Sequence, residues 1–253
     1  MPESAGAPIV AHEASTADAG PHPTGHMPSK RVALVVGATG LVGTELCRQL
    51  IRDEHFDTVM VFSRKPLGMR HRRLQVEVID FARLDEWVPD FAIDTVFCAL
   101  GTTIAKAGSE EAFRAVDHGL VLSVARLAKR AGSDHFIFVS SAGARPNAPS
   151  FYLRVKGEAE EDIRALTLPH AVALRPSVLD GDRQEERPGE QFALRIARLL
   201  KPLLIGPLAQ FRPTPASLVA TAMRDLAQPG RQGFEVIDPV SIGQWRDRIK
   251  LSR

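Results

Sequence analysis

A short β-branched run that ends in three evenly spaced glycines constrains the fold of this chain more than any other feature. It reads RVALVVGATGLVG over residues 31–43. The continuous apolar run from Val32 to Val36 predicts a central parallel strand that is buried on both faces. Apolar residues then recur at Val42, Leu46 and Leu50, the spacing of one helical face. The segment therefore predicts a strand, a glycine turn and a helix, in that order.

The three glycines indicate what this turn binds. Gly37 permits a tight turn, Gly40 lets backbone N–H groups approach a pyrophosphate, and Gly43 lets the helix pack closely. A dinucleotide phosphate would lie at the helix N-terminus, where free N–H groups meet the positive end of the dipole. The spacing is G-x-x-G-x-x-G rather than G-x-G-x-x-G, so the prediction depends on the strand and helix that flank the glycines.

Size and composition narrow the class of protein. The 253 residues, 44% of them hydrophobic, suit one α/β domain, which we place at residues 30–253. A net charge of +2 without a long basic tract gives no support for nucleic-acid binding. Cys47 and Cys98 fall in predicted secondary structure, where we expect buried free thiols. The first residues show no basic stretch followed by an apolar one, and no apolar segment reaches about 20 residues. We therefore expect a soluble, cytoplasmic protein without a transmembrane segment.

Residues 1–29 are rich in Ala, Pro, Gly, Ser and His and contain almost no large apolar residues. Such a segment cannot offset the entropy of ordering, so we expect a disordered leader. His12, His22 and His26 are too loosely spaced to indicate a metal site, and no metal is predicted.

The second predicted strand, residues 58–62, leads into a position that distinguishes two cofactors. An acidic residue about 20 residues beyond the glycines binds a free ribose 2′-OH, whereas arginine accommodates a 2′-phosphate. Here the strand is followed by Ser63, Arg64 and Lys65. These cations favour NADP(H), with NAD(H) as the alternative. They also fit a solvated loop, like the nearby Arg70, Arg72 and Arg73.

The next two strands, predicted at 75–79 and 95–100, also end in candidate ligand contacts. Asp80 can accept a hydrogen bond from an adenine amino group while Phe81 covers the ring, or it can cap the following helix. After the fourth strand, Gly101, Thr102 and Thr103 leave room for a ligand in the crevice at the carboxyl ends of the strands.

A long helix is predicted next, with Ser109 as its cap and one apolar face. Asp117 and His118 lie near that face, and a lone acid and a lone histidine on a helix are more often structural than catalytic. The fifth strand, 136–139, brings Ser140 and Ser141 to the edge of the sheet where the glycines lie. A helix beginning near Phe151 follows that strand.

That helix carries Tyr152 and Lys156, which are four residues apart and share a face. Tyr152 is the only tyrosine in the chain. Carbonyl reduction by a nicotinamide needs a proton donor near the oxygen, and a lysine ammonium makes a phenol more acidic. Because a serine hydroxyl can bind the reacting oxygen, Ser141, Tyr152 and Lys156 form the predicted catalytic set.

Four stretches make the chain resemble the atypical short-chain dehydrogenase/reductases, in the Tat-interacting-protein-like subgroup. They are GATGLVG at 37–43, CALGTTIAKAG at 98–108, YLRVKGEAE at 152–160 and RPSVLDGDRQEERPGE at 175–190. The resemblance covers about residues 31–250. It implies a Rossmann-type, doubly wound, mostly parallel sheet of about seven strands with helices on both faces, and NADP binding.

The resemblance also implies residue roles. Tyr152 is the acid/base, Lys156 binds the nicotinamide ribose and the tyrosine hydroxyl, and Ser141 orients the carbonyl, with Ser140 as its alternative. Many relatives carry Asn where this chain places Asp117. The candidate cofactor contacts are Gly37, Thr39, Gly40, Leu41, Val42, Gly43, Ser63, Arg64, Lys65, Asp80, Phe81, Leu100, Gly101, Thr102, Thr103, Tyr152, Lys156, Pro176, Ser177 and Val178.

Further along the chain, a strand is predicted at 171–174, and the resemblance makes Arg183, Gln184 and Arg187 substrate or lid contacts. The apolar segment 192–211 suits a pocket wall, with a dimer surface or membrane-surface segment as alternatives. A helix at 214–226, a strand at 234–237 and a helix at 242–249 complete the predicted domain.

Four functions fit these residues to different degrees. The first is an NADP(H)-dependent oxidoreductase acting on a small carbonyl or alcohol, and the second is an NADPH-binding regulator with a protein partner; either is compatible with a homodimer. A semialdehyde dehydrogenase needs a nucleophilic cysteine, and Cys98 lies inside a predicted strand without a paired histidine. An epimerase acting on nucleotide sugars would use the same three residues, but the chain is short for an added substrate domain.

Overall fold

The computed structural model describes residues 31–87, 91–180 and 213–251. Within them lies a seven-stranded sheet of order β3-β2-β1-β4-β5-β6-β9, in which every neighbouring pair is parallel. A separate parallel pair joins β7 and β8. In chain order the strands are β1 Val32–Val36, β2 Thr58–Ser63, β3 Leu74–Val78, β4 Thr95–Cys98, β5 His135–Val139, β6 His170–Leu174, β7 Leu179–Asp180, β8 Thr214–Pro215 and β9 Gly233–Ile237.

Helices connect the strands and cover the sheet. They are α1 Leu41–Leu50, a 3₁₀ helix Phe81–Glu86, α2 Ile104–Ala107, α3 Glu110–Arg114, a π-helical segment Ala115–Leu120, α4 Val121–Arg130, α5 Phe151–Ala165, α6 Ala216–Leu226 and α7 Pro239–Leu251. In the part of the chain described, no helix is both long and apolar enough to span a membrane. The doubly wound α/β fold is therefore confirmed.

The core has two layers because successive side chains of a strand point to opposite faces. On β1, Ala33 and Val35 join the apolar cluster that includes residues of α1, α6 and α7. Leu34 and Val36 join the cluster beneath α4, the 3₁₀ helix and the end of α5. The continuous apolar sequence of β1 thus reflects burial on both faces, as expected of a central parallel strand.

The observed elements differ from the predicted ones mainly at their ends. β4 stops at Cys98 rather than residue 100, so Ala99 and Leu100 leave the sheet at the crevice. Thr214 pairs in β8, and α6 begins only at Ala216, after a proline that has no N–H to continue the ladder. Of the charged segment Asp180 to Glu190, only Asp180 is among the described residues. The segments 1–29 and 192–211, for which predictions were also made, lie wholly outside the described residues.

A pair of histidines occupies the amino edge of the sheet, where β5 and β6 begin. The Nδ1 atoms of His135 and His170 are 2.9 Å apart, and His170 Nε2 lies 3.3 Å from Glu235 Oε1. Both rings are buried. Burial lowers the pKa of both imidazoles because the charged form is poorly solvated there. The other charged or titratable groups that act on the pair are Asp134, His55, Arg31 and Arg231.

The lowered pKa values of His135 and His170 predict that acid destabilises the fold. Because their folded pKa values lie below the ordinary value of 6.5, the unfolded chain binds more protons as the pH falls past 6.5. We expect the free energy of unfolding to decrease between about pH 7 and pH 5, and to decrease less in His135→Asn. Denaturant unfolding at both pH values measures this. His71→Gln, which alters an exposed histidine, should behave like the parent; an H135N variant with the full acid loss would contradict the account.

Candidate active site

The glycine turn after β1 presses against the end of β4. Gly37 has φ +90°, and a Cβ there would lie 2.6 Å from the Ala99 carbonyl carbon. A Cβ on Gly43 would lie 2.2 Å from the Gly37 oxygen. No side chain fits at either position without moving backbone. Gly40 meets only an ordinary contact of 3.4 Å and is exposed.

The first turn of α1 begins at this loop with its N–H groups uncapped by any described side chain. Gly40 is the N-cap residue, and the first turn contains no acidic residue. Thr39 is exposed, Leu41 is half-buried and Val42 is buried. A backbone concavity with open N–H groups at the positive end of a helix is the arrangement that holds a dinucleotide pyrophosphate.

The end of β2 places two cations beside this turn, because β1 and β2 are paired along their length. Ser63 is buried and its Oγ accepts the Lys65 N–H at 3.4 Å. Arg64 and Lys65 are exposed, and neither forms an ion pair with a described carboxylate. The two side chains are therefore available to an anionic ligand.

Asp80 caps the 3₁₀ helix after β3: its Oδ1 accepts the Ala82 N–H at 3.0 Å. The carboxylate is nevertheless exposed, and Phe81 beside it is half-buried against the core cluster that also contacts Leu100. The helix-capping alternative for Asp80 is thus observed.

The loop after β4 is held by one buried carboxylate. Asp117 Oδ2, from the π-helical segment, accepts the Thr102 N–H at 2.8 Å. Thr103 caps α2, because its Oγ1 accepts the Lys106 N–H at 3.2 Å. A Cβ on Gly101 would lie 3.4 Å from Asp117 Oδ1 and 3.8 Å from Lys156 Nζ, so this exposed glycine lies directly over both charged groups.

The two serines after β5 have different surroundings. Ser140 is buried, and its hydroxyl donates a short hydrogen bond to Glu160 Oε1. Glu160 also accepts from Arg175 Nε at 2.9 Å, so this serine belongs to a network within the fold. Ser141 is half-buried at the carboxyl edge of the sheet. Its position leaves it better suited than Ser140 to meet a ligand.

Tyr152 and Lys156 lie on the first turns of α5. The Tyr152 ring packs on the fully buried Phe113 ring with centroids 5.2 Å apart, which orients the phenol. Lys156 is 4% exposed; its ammonium donates to the Val139 oxygen at 3.3 Å and lies 2.8 Å from Asp117 Oδ1. Burial alone would lower the pKa of Lys156, but the negative charge of Asp117 and the proximity of Tyr152 raise it above the ordinary value.

The loop after β6 returns to the same edge. The Pro176 oxygen accepts the Ala142 N–H at 3.0 Å, which ties this loop to the one after β5. Ser177 Oγ lies 3.0 Å from Thr214 Oγ1, and Val178 is 55% exposed. The proposed substrate contacts Arg183, Gln184 and Arg187 lie outside the described residues.

Two other kinds of chemistry find no support in the described parts of the chain. Cys98 is fully buried in β4, and burial raises the pKa of its thiol to about 12, so it is not a thiolate nucleophile. Cys47 is also buried with a pKa raised to about 12, and both cysteines are free, as predicted. Residues 31–87, 91–180 and 213–251 contain no group of three metal-ligating side chains.

The role of Asp117 differs from the one expected from the sequence. On the helix pattern it reads as a lone acid, yet the structure places it between the Thr102 amide and the Lys156 ammonium. The available signal was its position on the long helix, where the family resemblance implies an Asn. That comparison identifies the position but not the ion pair.

Two proteins with similar sequences align with 86% of this chain. Protein HTATIP2 of Rattus norvegicus is 36% identical over 225 residues, which cover 86% of this chain and 91% of that protein. Protein FMP52, mitochondrial, of Candida albicans is 33% identical over 224 residues, covering 86% of this chain and 96% of that protein.

The FMP52 relatives contradict the cytoplasmic prediction. Similar FMP52 proteins of Debaryomyces hansenii and Candida glabrata are also named mitochondrial. The prediction was wrong because its two arguments were too narrow. Free cysteines argue only against an oxidising compartment, and a basic stretch followed by an apolar one marks only secretion.

The fold matches that of a solved nucleotide-sugar complex. The structure titled MoeE5 in complex with UDP-glucose and NAD superposes with a TM-score of 0.60 at 20% identity, covering 86% of this chain and 81% of that one. The family model described as the NAD dependent epimerase/dehydratase family matches residues 33–250. With the HTATIP2 similarity, these findings show that the chain belongs to the NAD dependent epimerase/dehydratase family, as an atypical short-chain dehydrogenase/reductase of the Tat-interacting-protein-like subgroup.

Proposed function

We propose that this protein is an NADP(H)-dependent oxidoreductase that transfers a hydride to or from a small carbonyl or alcohol, with Tyr152 as the acid/base. The observation that carries the proposal is the buried Lys156 ammonium, one helical turn from Tyr152 and beside Gly101 at the carboxyl edge. Burying an ammonium costs several kcal/mol unless it is compensated, on the order estimated for buried ions. Its place beside the only tyrosine supports a chemical role.

The turn after β1 and the loop after β4 support binding of the cofactor at the carboxyl edge of the sheet. The turn at Gly37, the uncapped N–H groups of α1 and the exposed Gly101 line one crevice edge, since β1 and β4 are neighbours. Residues of this turn would hold the pyrophosphate, and Asp80 and Phe81 would meet the adenine. A bound nicotinamide supplies or accepts the hydride.

The side chains of the chain would move the proton. In reduction, the Tyr152 hydroxyl donates its proton to the carbonyl oxygen of the substrate as that oxygen gains negative charge. The Lys156 ammonium stabilises the phenolate that remains. Ser141, at the end of β5, would donate a hydrogen bond to the same oxygen and orient it. Ser140 is already engaged with Glu160, which supports assigning this task to its neighbour.

The cation pair after β2 supports NADP(H) over NAD(H). Arg64 and Lys65 are exposed, lack ion-pair partners among the described residues and follow the strand beside the glycine turn. A ribose 2′-phosphate carries a negative charge that such side chains bind, whereas a free 2′-hydroxyl gains little from them. The solved neighbour contains NAD, so the preference is a property to be measured on this chain.

Replacing the phenol tests the acid/base assignment. In Tyr152→Phe we expect turnover to fall at least about 100-fold, because general acid catalysis contributes roughly that much, while NADPH affinity changes little. The measurement is nicotinamide oxidation with a panel of small aldehydes and ketones. UDP-glucose, which the MoeE5 complex contains, tests the nucleotide-sugar alternative in a separate assay with NAD+ or NADP+. Its products are separated by chromatography, because UDP-glucose has no carbonyl for NADPH to reduce.

The control for this assay is NADPH binding by the same preparation. Full turnover by Y152F on an identified substrate would contradict the acid/base assignment. Tight NADPH binding by the parent with no turnover on any compound would instead favour the regulatory function.

Reversing one charge tests the cofactor preference. We expect Arg64→Glu to weaken NADPH binding by about 10- to 100-fold, because a hydrogen bond between charged groups contributes about 1.5–3 kcal/mol. NADH binding should change little. Titration of nicotinamide fluorescence measures both affinities. Arg126→Glu, the same change at an exposed arginine of α4, is the matched control; an R64E variant with unchanged NADPH affinity would refute the 2′-phosphate assignment.

A further inference from the structure

One buried carboxylate touches both the cofactor side and the proton-transfer side of the crevice. The side chain of Asp117 is 0% exposed. Its Oδ2 accepts the Thr102 N–H at 2.8 Å, and its Oδ1 lies 2.8 Å from Lys156 Nζ. It therefore links the loop after β4 to α5.

The backbone around Asp117 is unusual. Residues Ala115–Leu120 form a π-helical segment between α3 and α4, and the N-cap and C-cap residues of that segment remain helical. A π turn widens the helix and shifts the side chains that follow, and such turns are often found at functional sites. The chain therefore departs from regular helix at the place where it presents this carboxylate.

The Lys156 ammonium has three donors. In the described residues, the Val139 oxygen accepts one of them, Asp117 Oδ1 is the ion-pair partner at 2.8 Å, and the charge of Tyr152 acts on the same nitrogen. Cys98, from β4, is the other titratable group that faces it, and its raised pKa of about 12 keeps it neutral. The local charge is thus decided by one ammonium, one carboxylate and one phenol.

The flanking charges are already paired elsewhere. Arg114 of α3 lies 2.6 Å from Glu158 of α5. His118 of the π-helical segment lies 2.7 Å from Asp162 of α5. Among the described residues of these elements, Asp117 is the carboxylate that forms an ion pair with the Lys156 ammonium.

We propose that Asp117 is a positioning residue that holds the Lys156 ammonium at the crevice edge and shares its charge, so that Tyr152 forms a phenolate only at higher pH than the lysine alone would allow. The proposal rests on the proposed roles of Tyr152 and Lys156. A carboxylate close to the pair opposes a second negative charge on the phenol. It also offsets part of the ammonium charge that stabilises the phenolate. The same carboxylate reduces the free-energy cost of burying the charged lysine.

The single tyrosine makes this measurable without a substrate. The ultraviolet absorbance of phenolate reports Tyr152 alone, because the chain has no other tyrosine. Asp117→Asn keeps the shape and an oxygen for the Thr102 N–H but removes the charge. We expect the midpoint of phenolate formation to move down by at least about one pH unit, the usual effect of a nearby charge.

Three further measurements separate charge from structure. Asp162→Asn makes the same change at a carboxylate of α5 that is 51% exposed, and it should leave the midpoint where the parent has it. Asp117→Glu restores the charge and should return the midpoint most of the way. In turnover assays, the decline of carbonyl reduction at alkaline pH should begin at lower pH in D117N, because reduction needs the protonated phenol.

A double-mutant cycle keeps the test valid if D117N alone does not fold. Lys156→Met and the D117N/K156M pair measure the same carboxylate without the ammonium, and the midpoint should be higher in K156M than in the double variant. Circular dichroism reports folding of each protein. An unchanged or raised midpoint in D117N, or equal midpoints in K156M and D117N/K156M, would overturn the proposal.

Failure of this proposal and failure of the proposed enzymatic function give different results. If Y152F retains turnover while the D117N midpoint falls, the acid/base assignment fails and the charge coupling stands. If Y152F is inactive and the midpoint does not move, only the role proposed for Asp117 fails.

Discussion

The close approach of the β1 turn to the end of β4 is the contact on which the rest of the site depends. Gly37 lies where a Cβ would overlap the Ala99 backbone, and Gly43 lies where one would overlap the Gly37 carbonyl. This contact allows α1 to begin immediately beside β4 with its first N–H groups open. A side chain at either glycine would push the helix away from the neighbouring strand. The N–H groups of α1 would then no longer lie beside the loop after β4.

The parallel sheet then separates two kinds of polar chemistry. Strands that all run in one direction deliver their following loops to one edge, so Gly37, Gly101 and Ser141 come together although they are distant in sequence. The residues that begin the same strands meet at the opposite edge, where His135 and His170 contact each other. The carboxyl edge carries open N–H groups and an ammonium paired with a carboxylate, whereas the amino edge carries two imidazoles whose pKa values are lowered by burial.

The sequence predicts those features that arise locally. The apolar run of β1, the small residues of the turn and the Ser109 cap of α3 were all readable, because each depends on neighbours in the chain. The π-helical segment was not, since apolar residues continue at helical spacing through Ala115–Leu120. The ion pair of Asp117 with Lys156 and the link from Ser140 through Glu160 to Arg175 join separate elements. Only the packed fold brings such residues together. The compartment of the protein could not be predicted from the patterns that determine its fold.

The central claim is that one crevice, formed by the β1 turn and the loop after β4, receives the dinucleotide. The most direct test is amide hydrogen exchange of the full chain with and without NADPH. We expect slower exchange on NADPH binding at residues 37–46 and 98–103. Exchange at the amino edge, around His135 and His170, should stay unchanged. Protection confined to other segments, or none at saturating NADPH, would contradict the claim.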